Sequence, residues 1–450
     1  MANTPVKKLS IVSLAIPILV ELVLRNLMGT VNVFLLSAYS DSAVAAVGVA
    51  NQVMNVVTIA FNVISAGTAV VVNQALGGKR FEEGAHIAMN AMAVALVLGA
   101  AVSVTMVTCG ETFMVLLGLE RELLADGAVF LQMVGGASLL MACTTMIGTI
   151  FRCYGNARVP MYVVICTNLL NVLGGWIVVY RPFETPLVGV PGVAAVRVFS
   201  ECMGVLLAVG LLSRAKLGLR LRDLFRFQKD QLLRIVSVGF MSGAEGISYT
   251  LGQVVTTSFI TGLGAAALSA KVYVQNVDYY AYVIGLSIGQ ATQIIAGHWL
   301  GAGQFEKAHR FVNRSHRYVI LCNIAFGVLL YLAGPAVIGL FSTDPQVLAI
   351  AQQLLFIDIF IHMARSFNHT HNYGNRAAGY VVIPGIVAAC SIWIFNVGLG
   401  GLLVTLGLGI RGLWIGQAVD EWVRGLSMCA VWQSRRWEKT VVVTHGAEEE

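Results

Sequence analysis

The sequence predicts an all-α integral membrane protein of twelve transmembrane helices in two parallel-repeat six-helix bundles. Three observations predict it. Only 12% of the 450 residues are charged while 57% are hydrophobic, against roughly 25% charged in a soluble domain. The apolar residues gather in twelve runs, each long enough to cross roughly 30 Å of hydrocarbon, which takes about 20 residues. The second half of the chain also repeats pieces of the first.

The first run, 11–37, follows a basic flank and carries Glu21 and Arg25. No small-residue cleavage site follows an apolar stretch of ordinary length, so the run is read as a retained span rather than a cleaved leader. The next five fall at 44–76, 84–109, 126–151, 159–180 and 190–213. A basic, amphipathic linker at 216–233 is expected to lie on the membrane surface, its Leu and Phe toward lipid and its Arg toward head groups. Six more runs follow at 234–261, 264–299, 311–340, 347–372, 377–403 and 411–433. None alternates with period two, and all are too long for barrel strands. The chain therefore divides into an N-terminal lobe at 1–215, the linker, a C-terminal lobe at 234–436 and a cytoplasmic tail at 437–450. Abundant Gly, 47 residues against 9 Pro, suits close helix packing in lipid. The eight Cys stand singly, mostly inside apolar runs, and are read as small buried hydrophobes.

Counting Lys and Arg orients the bundle. With the N-terminus inside, 21 fall on that face, while Arg121, Arg181 and Arg411 fall on the other and Arg25, Arg197, Lys271, Arg365 and Arg424 lie within spans. This bias predicts a multi-pass protein of the cell membrane with both termini cytoplasmic. It also accounts for the net charge of +6 without a nucleic-acid partner; membrane lipids are the expected surroundings.

The repeat is local but ordered. An offset of 224 brings Leu76-Gly77 onto Leu300-Gly301 and Phe81-Glu82 onto Phe305-Glu306, and AVAAVGVANQ from 43 onto ALSAKVYVQN from 267. Tyr154-Gly155-Asn156 matches Tyr373-Gly374-Asn375, and Glu201 matches Glu421. Six spans per half make the repeats parallel, about an axis normal to the bilayer.

Intramembrane ionisable groups are costly, which makes them candidate functional residues. Glu21 and Arg25, four residues apart, share a helix face and are expected to pair. Glu245 occupies the repeat position of Glu21 but has Tyr249 where Glu21 has Arg25. With no cation on its own face, it is expected to be the carboxylate that takes up and releases a proton; a tertiary partner such as Lys271 or Arg365 would instead make it structural. Lys271 and Asp278 share the eighth span, and Asp358 and His362 the tenth. His369 and His371 lack a metal-ligand partner at useful spacing. Arg197–Glu201 and Asp420–Arg424, both i,i+4, read as paired architectural charges. Phosphate-loop, zinc-protease and serine-hydrolase signatures are absent, and the one GxGxxG match, at 407–412, follows no strand. An enzyme is not predicted, and no cofactor is.

At these residues the chain resembles the multidrug and toxic compound extrusion (MATE) transporters. The resemblance runs from Pro17 to about Trp437 and rests on IPILVEL, VNVFLLSAYSDSAVAAVGVANQV, LGGKRFEEGAH, RCYGNARVP, LGAAALSAKVYVQN, LGAGQFEKAH and GLGIRGLWIGQAVDEWVRG in that order. It implies two six-helix lobes around a V-shaped cleft. It also implies export of cationic or amphipathic organic small molecules in exchange for protons or sodium ions, by a chain that functions as a monomer. The family's first-helix Asp is matched here by Asn32, which removes a charge useful for a sodium site and favours protons as the coupling ion. Its seventh-helix Glu aligns with Tyr249, one turn from Glu245, and its tenth-helix Asp is approximated by Asp358. Arg25, Lys271 and Arg365 support a second reading, export of a lipid-linked or polyanionic substrate. A receptor or scaffold is a third.

Overall fold

In the computed structural model, residues 9–37, 39–180, 188–226 and 228–441 are described. Lys7, Lys8, Arg181 and most of the expected tail lie outside them. Among the described residues there is no strand. Contacts divide the chain into two compact units, one holding residues 16–72 and 81–239, the other residues 10–15, 73–80 and 240 onward.

The first unit is built from α1 (Ile11–Ser37), α2 (Asp41–Gly77), α3 (Phe81–Leu116), α4 (Arg121–Phe130), α5 (Ser138–Cys153), α6 (Arg158–Tyr180) and α7 (Gly189–Arg214). Between α4 and α5 a π-helical turn, Leu131–Gly135, precedes a bend of 43°. The predicted fourth span is therefore two helices. The cause is local: a π turn carries one residue too many for α geometry, and Gly135-Gly136 permits the change of direction. Met54, Phe61, Met106, Phe130 and Leu131 are among the side chains that fill the core of this unit. α3 packs against α5, and α6 against α7. Within the linker, a 3-10 turn at Leu221–Phe225 leaves Leu221 and Phe225 exposed and buries Asp223.

The second unit contains α8 (Lys229–Thr261) from Phe240 onward, α9 (Ala265–Gly301), α10 (Phe305–Gly339), α11 (Pro345–Phe367), α12 (Tyr373–Ala377), α13 (Val382–Ser391), α14 (Gly400–Leu403) and α15 (Ile410–Gln433). The carboxylate of Asp344 caps α11 by accepting the Gln346 amide at 2.8 Å, with Pro345 in the first turn where its missing N–H costs nothing. π-helical turns at Asn368–Asn372, Ile392–Leu399 and Val404–Leu408 interrupt the two spans after α10. Before α15, Gly407 and Gly409 take positive φ, so the GxGxxG match makes a turn that only glycine adopts without strain.

Eight helical segments of the described residues are long and apolar enough to cross a membrane, and the bent α4–α5 pair makes a ninth. The three remaining long helices, α8, α9 and α15, carry Glu245, Lys271, Asp278, Asp420, Glu421 and Arg424 in their interiors. Their polarity reflects charges buried among helices. α3 runs seven residues beyond its expected end at 109. The reading of the cysteines as buried needs correction: Cys153 is buried, but Cys109 and Cys390 lie on exposed helix faces.

Candidate functional site

In the first unit, Glu21 is 4% exposed. It accepts Arg25 Nη2 at 3.1 Å, as the four-residue spacing predicts, and also Arg152 Nη1 at 2.8 Å. Arg152, at the end of α5, in turn donates to the Thr149 hydroxyl. Beside this group is a cavity of about 30 Å³, lined in part by Arg25, Thr144, Asn168 and Glu201. That is room for ordered water and not for an organic molecule. Asn32 is buried with its Oδ1 unpartnered and belongs to neither group. Arg197 donates to Asn51 Oδ1 at 3.3 Å and lies over the Phe130 ring. Its expected ion pair with Glu201 does not form among the described residues, because α2 and α4 offer it closer partners.

The second unit contains a continuous ion-pair network. Glu245 on α8 accepts Arg376 Nη2 at 2.6 Å and Asn372 Nδ2 at 3.2 Å on one oxygen, and Arg424 Nη1 at 3.3 Å on the other. Arg424 also reaches Glu421 at 2.8 Å and Asp420 at 3.1 Å. Glu421 accepts Asn368 Nδ2 at 3.2 Å and faces Arg365 Nε at 3.4 Å. Arg365 bonds Asp278 at 2.8 Å, and the second Asp278 oxygen lies 2.7 Å from His362 Nε2. Asp420 takes a further bond of 2.6 Å from the Ser391 hydroxyl. Four carboxylates thus share three guanidiniums.

Local sequence explains the convergence. The π turn at Asn368–Asn372 aims two amides one turn apart at two different carboxylates. α9 approaches this turn closely because Gly285 and Gly289 face it. A Cβ on Gly289 would come within 2.4 Å of the His369 carbonyl. Burial of the whole group matters energetically, since removing one member of a buried pair costs about 3–5 kcal/mol.

Glu245 has no cation on its own helix face, but it has the tertiary partners that the sequence left open as the alternative. Its partners come from α12 and α15, far along the chain, and are neither of the two proposed from sequence. Lys271 instead donates to the Thr257 hydroxyl, and Arg365 serves Asp278 and Glu421. His362 meets Asp278 rather than Asp358, its neighbour one turn away. Tyr249 is within electrostatic reach of Arg365, Glu421, Asp278 and Arg424. His369 and His371 are buried, and His369 packs edge-on against Tyr282.

Asp358 stands outside the network. It is 4% exposed; Oδ1 accepts Trp414 Nε1 at 3.0 Å, and Oδ2 has no partner among the described residues. Among the described residues no cation lies within ion-pair distance of it. Sequence reasoning missed Arg152, Arg376, Asn368, Asn372 and Trp414. One signal was available for the arginines: Arg152 and Arg376 are separated by the same 224 residues as Glu21 and Glu245, and the carbonyl of each accepts the amide of a positive-φ glycine, Gly155 and Gly379, so the Tyr-Gly-Asn match is out of register with the fold. Among the described residues, no three His, Cys, Asp or Glu side chains gather as a metal site.

The MatE family model matches residues 17–177 and again 242–402. A relative from Bacillus subtilis (strain 168), "Uncharacterized transporter YisQ", is 34% identical over 433 residues, covering 96% of this chain and 95% of the relative. "Probable multidrug resistance protein NorM" from Thermotoga maritima is 24% identical over 444 residues, covering 98% and 96%. Among solved structures, "Crystal structure of MATE in the bent conformation" superposes with a TM-score of 0.88 at 20% identity, covering 96% of both chains. That likeness shows the fold, twelve helices in two repeats.

Proposed function

Because this chain belongs to the MatE family of membrane transporters, we propose that it is a secondary active antiporter. It exports amphipathic or cationic organic compounds in exchange for protons or sodium ions, by alternating access. Members of the family move small molecules and are not enzymes. The finer reading takes up the name of the Thermotoga maritima relative, a probable multidrug resistance protein. The chain works as a monomer in the cell membrane with both termini in the cytoplasm, as the distribution of Lys and Arg supports.

The observation that carries the coupling is Asp358. Its buried Oδ2 lacks a partner, and a buried polar atom left unmatched is costly. A proton bound at Oδ2 removes the charge of a carboxyl that has no cation beside it, which is what burial of a lone carboxylate favours. A sodium ion would need several oxygens around it, and Asp278, the carboxylate that acts on Asp358 electrostatically, is already held by His362 and Arg365. Protons are therefore the favoured ion, and Asp358 rather than Glu245 is the residue that exchanges them.

The test is dye efflux from proteoliposomes carrying an imposed gradient. A pH gradient is expected to drive efflux of cationic dyes, and a sodium gradient at constant pH is not. Efflux driven by sodium alone would exchange the ion. No gradient-dependent flux across a broad panel of cationic dyes would remove the substrate class.

A second reading, export of a lipid-linked or polyanionic substrate, rests on Lys271. Its ammonium is buried and bonded to a hydroxyl, with no carboxylate in ion-pair distance among the described residues. Flux of organic anions with silence toward cationic dyes would favour it.

A further inference from the structure

On α10, Arg310, Arg314 and Arg317 follow one another at intervals of four and three residues. They therefore line one helix face. With Asn313, Tyr318 and Leu321 they bound a groove of about 440 Å³. All three guanidiniums are exposed. Arg310 is partly neutralised by Glu306 at 2.9 Å, a carboxylate that Arg435 also contacts. Asn313 bonds His309 and Gln433. Among the described residues Arg314 reaches only the Tyr318 hydroxyl, at 3.1 Å, and rests over the ring of that tyrosine. Arg317 has no polar partner among the described residues. Two guanidiniums thus face the groove without a carboxylate.

Beyond the arginines the helix changes character. The 22 residues from Tyr318 to Gly339 carry no charge and rise about 33 Å at 1.5 Å each, close to the roughly 30 Å of a hydrocarbon core. Arg317 therefore lies at the edge of the apolar layer, with Arg314 and Arg310 further out at the level of the head groups. The exposed face continues through Leu321, Val328, Leu329 and Leu332. An anionic head with an apolar tail matches both parts of this surface. A free phosphate matches only the first.

We propose that this face of α10 binds an anionic phospholipid. Its phosphate is held by Arg314 and Arg317, with Arg310 as the outer flank, and an acyl chain lies along Leu321 to Leu332. The site is independent of the antiport reading, since it asks only that α10 cross a bilayer.

Native mass spectrometry of the full chain tests it, using phosphatidylglycerol and phosphatidylcholine with identical acyl chains. The unmodified protein is expected to retain phosphatidylglycerol preferentially. The preference should fall by about fivefold for each arginine removed in R314Q/R317Q, while R220Q/R222Q in the linker leaves it unchanged. R317Q alone, at a side chain without a partner, keeps the comparison open should the double variant not fold. Excess inorganic phosphate is expected to leave the lipid bound. Equal retention of the two lipids, an unchanged preference in R314Q/R317Q or R317Q, or displacement by inorganic phosphate would each overturn the proposal, the last by making the groove a free-anion site.

Discussion

Glu21 in the first unit and Glu245 in the second are each met by an arginine 131 residues further on, Arg152 and Arg376. From there the units diverge. Among the described residues the ion pairs of Glu21 end with Arg25 and Arg152. From Glu245 the contacts continue through Arg424, Glu421 and Arg365 to Asp278 and His362. The family model, matching once in each half, fits a duplication that kept the carboxylate–arginine pair in both copies. Only the second copy extends it into a network, on helices too polar to pass as simple apolar spans. On the proposed reading, a buried carboxylate held by two guanidiniums serves as an anchor, and the exchangeable group lies beside the network.

The largest expected effect tests whether the two anchors are alike. Glu21→Gln and Glu245→Gln each leave two arginines facing a neutral amide, and each is expected to cost about 3 kcal/mol of stability. Folded yield and thermal unfolding in detergent measure it. A loss in E21Q with none in E245Q would restore the inequality that the sequence alone implied.

A smaller effect tests the close packing specific to the second unit. Gly289→Ala places a methyl group against the His369 carbonyl and is expected to cost about 2 kcal/mol, within the usual range for overpacking. Gly48→Ala in α2 meets nothing within 4 Å and is expected to gain about 0.5–1 kcal/mol from the better helix former. Equal unfolding temperatures for the two would show that the α9 contact is looser than its geometry.

The smallest effect on folding is expected at Asp358→Asn. The variant keeps the Trp414 bond and should stay within about 1 kcal/mol of the parent, yet lose pH-driven efflux at least tenfold. Normal coupling in D358N, with loss in E245Q at preserved folding, would return the switch to the network.

The twelve spans were legible because apolar length is a local property, and intramembrane carboxylates such as Glu21, Glu245 and Asp358 stood out against it. Their partners were not legible. Arg376 counts among the charges of one membrane face when only the sequence is read, and nothing local reveals that the chain folds it back onto Glu245. The Gly135-Gly136 pair marked the bend after α4, but an apolar run looks continuous across it. Asn368 and Asn372 were hidden for another reason: a π turn shifts the phase of a helix, so the faces that follow cannot be read from a period of 3.6.

That π turn has a mechanical consequence. Asn368 and Asn372 hold Glu421 and Glu245 from the same turn of backbone. Were the extra residue to migrate by one position along the helix, both amides would swing off their carboxylates together, as the teeth of a ratchet disengage in one step. A motion that shifted this turn would therefore release the two carboxylates as a pair.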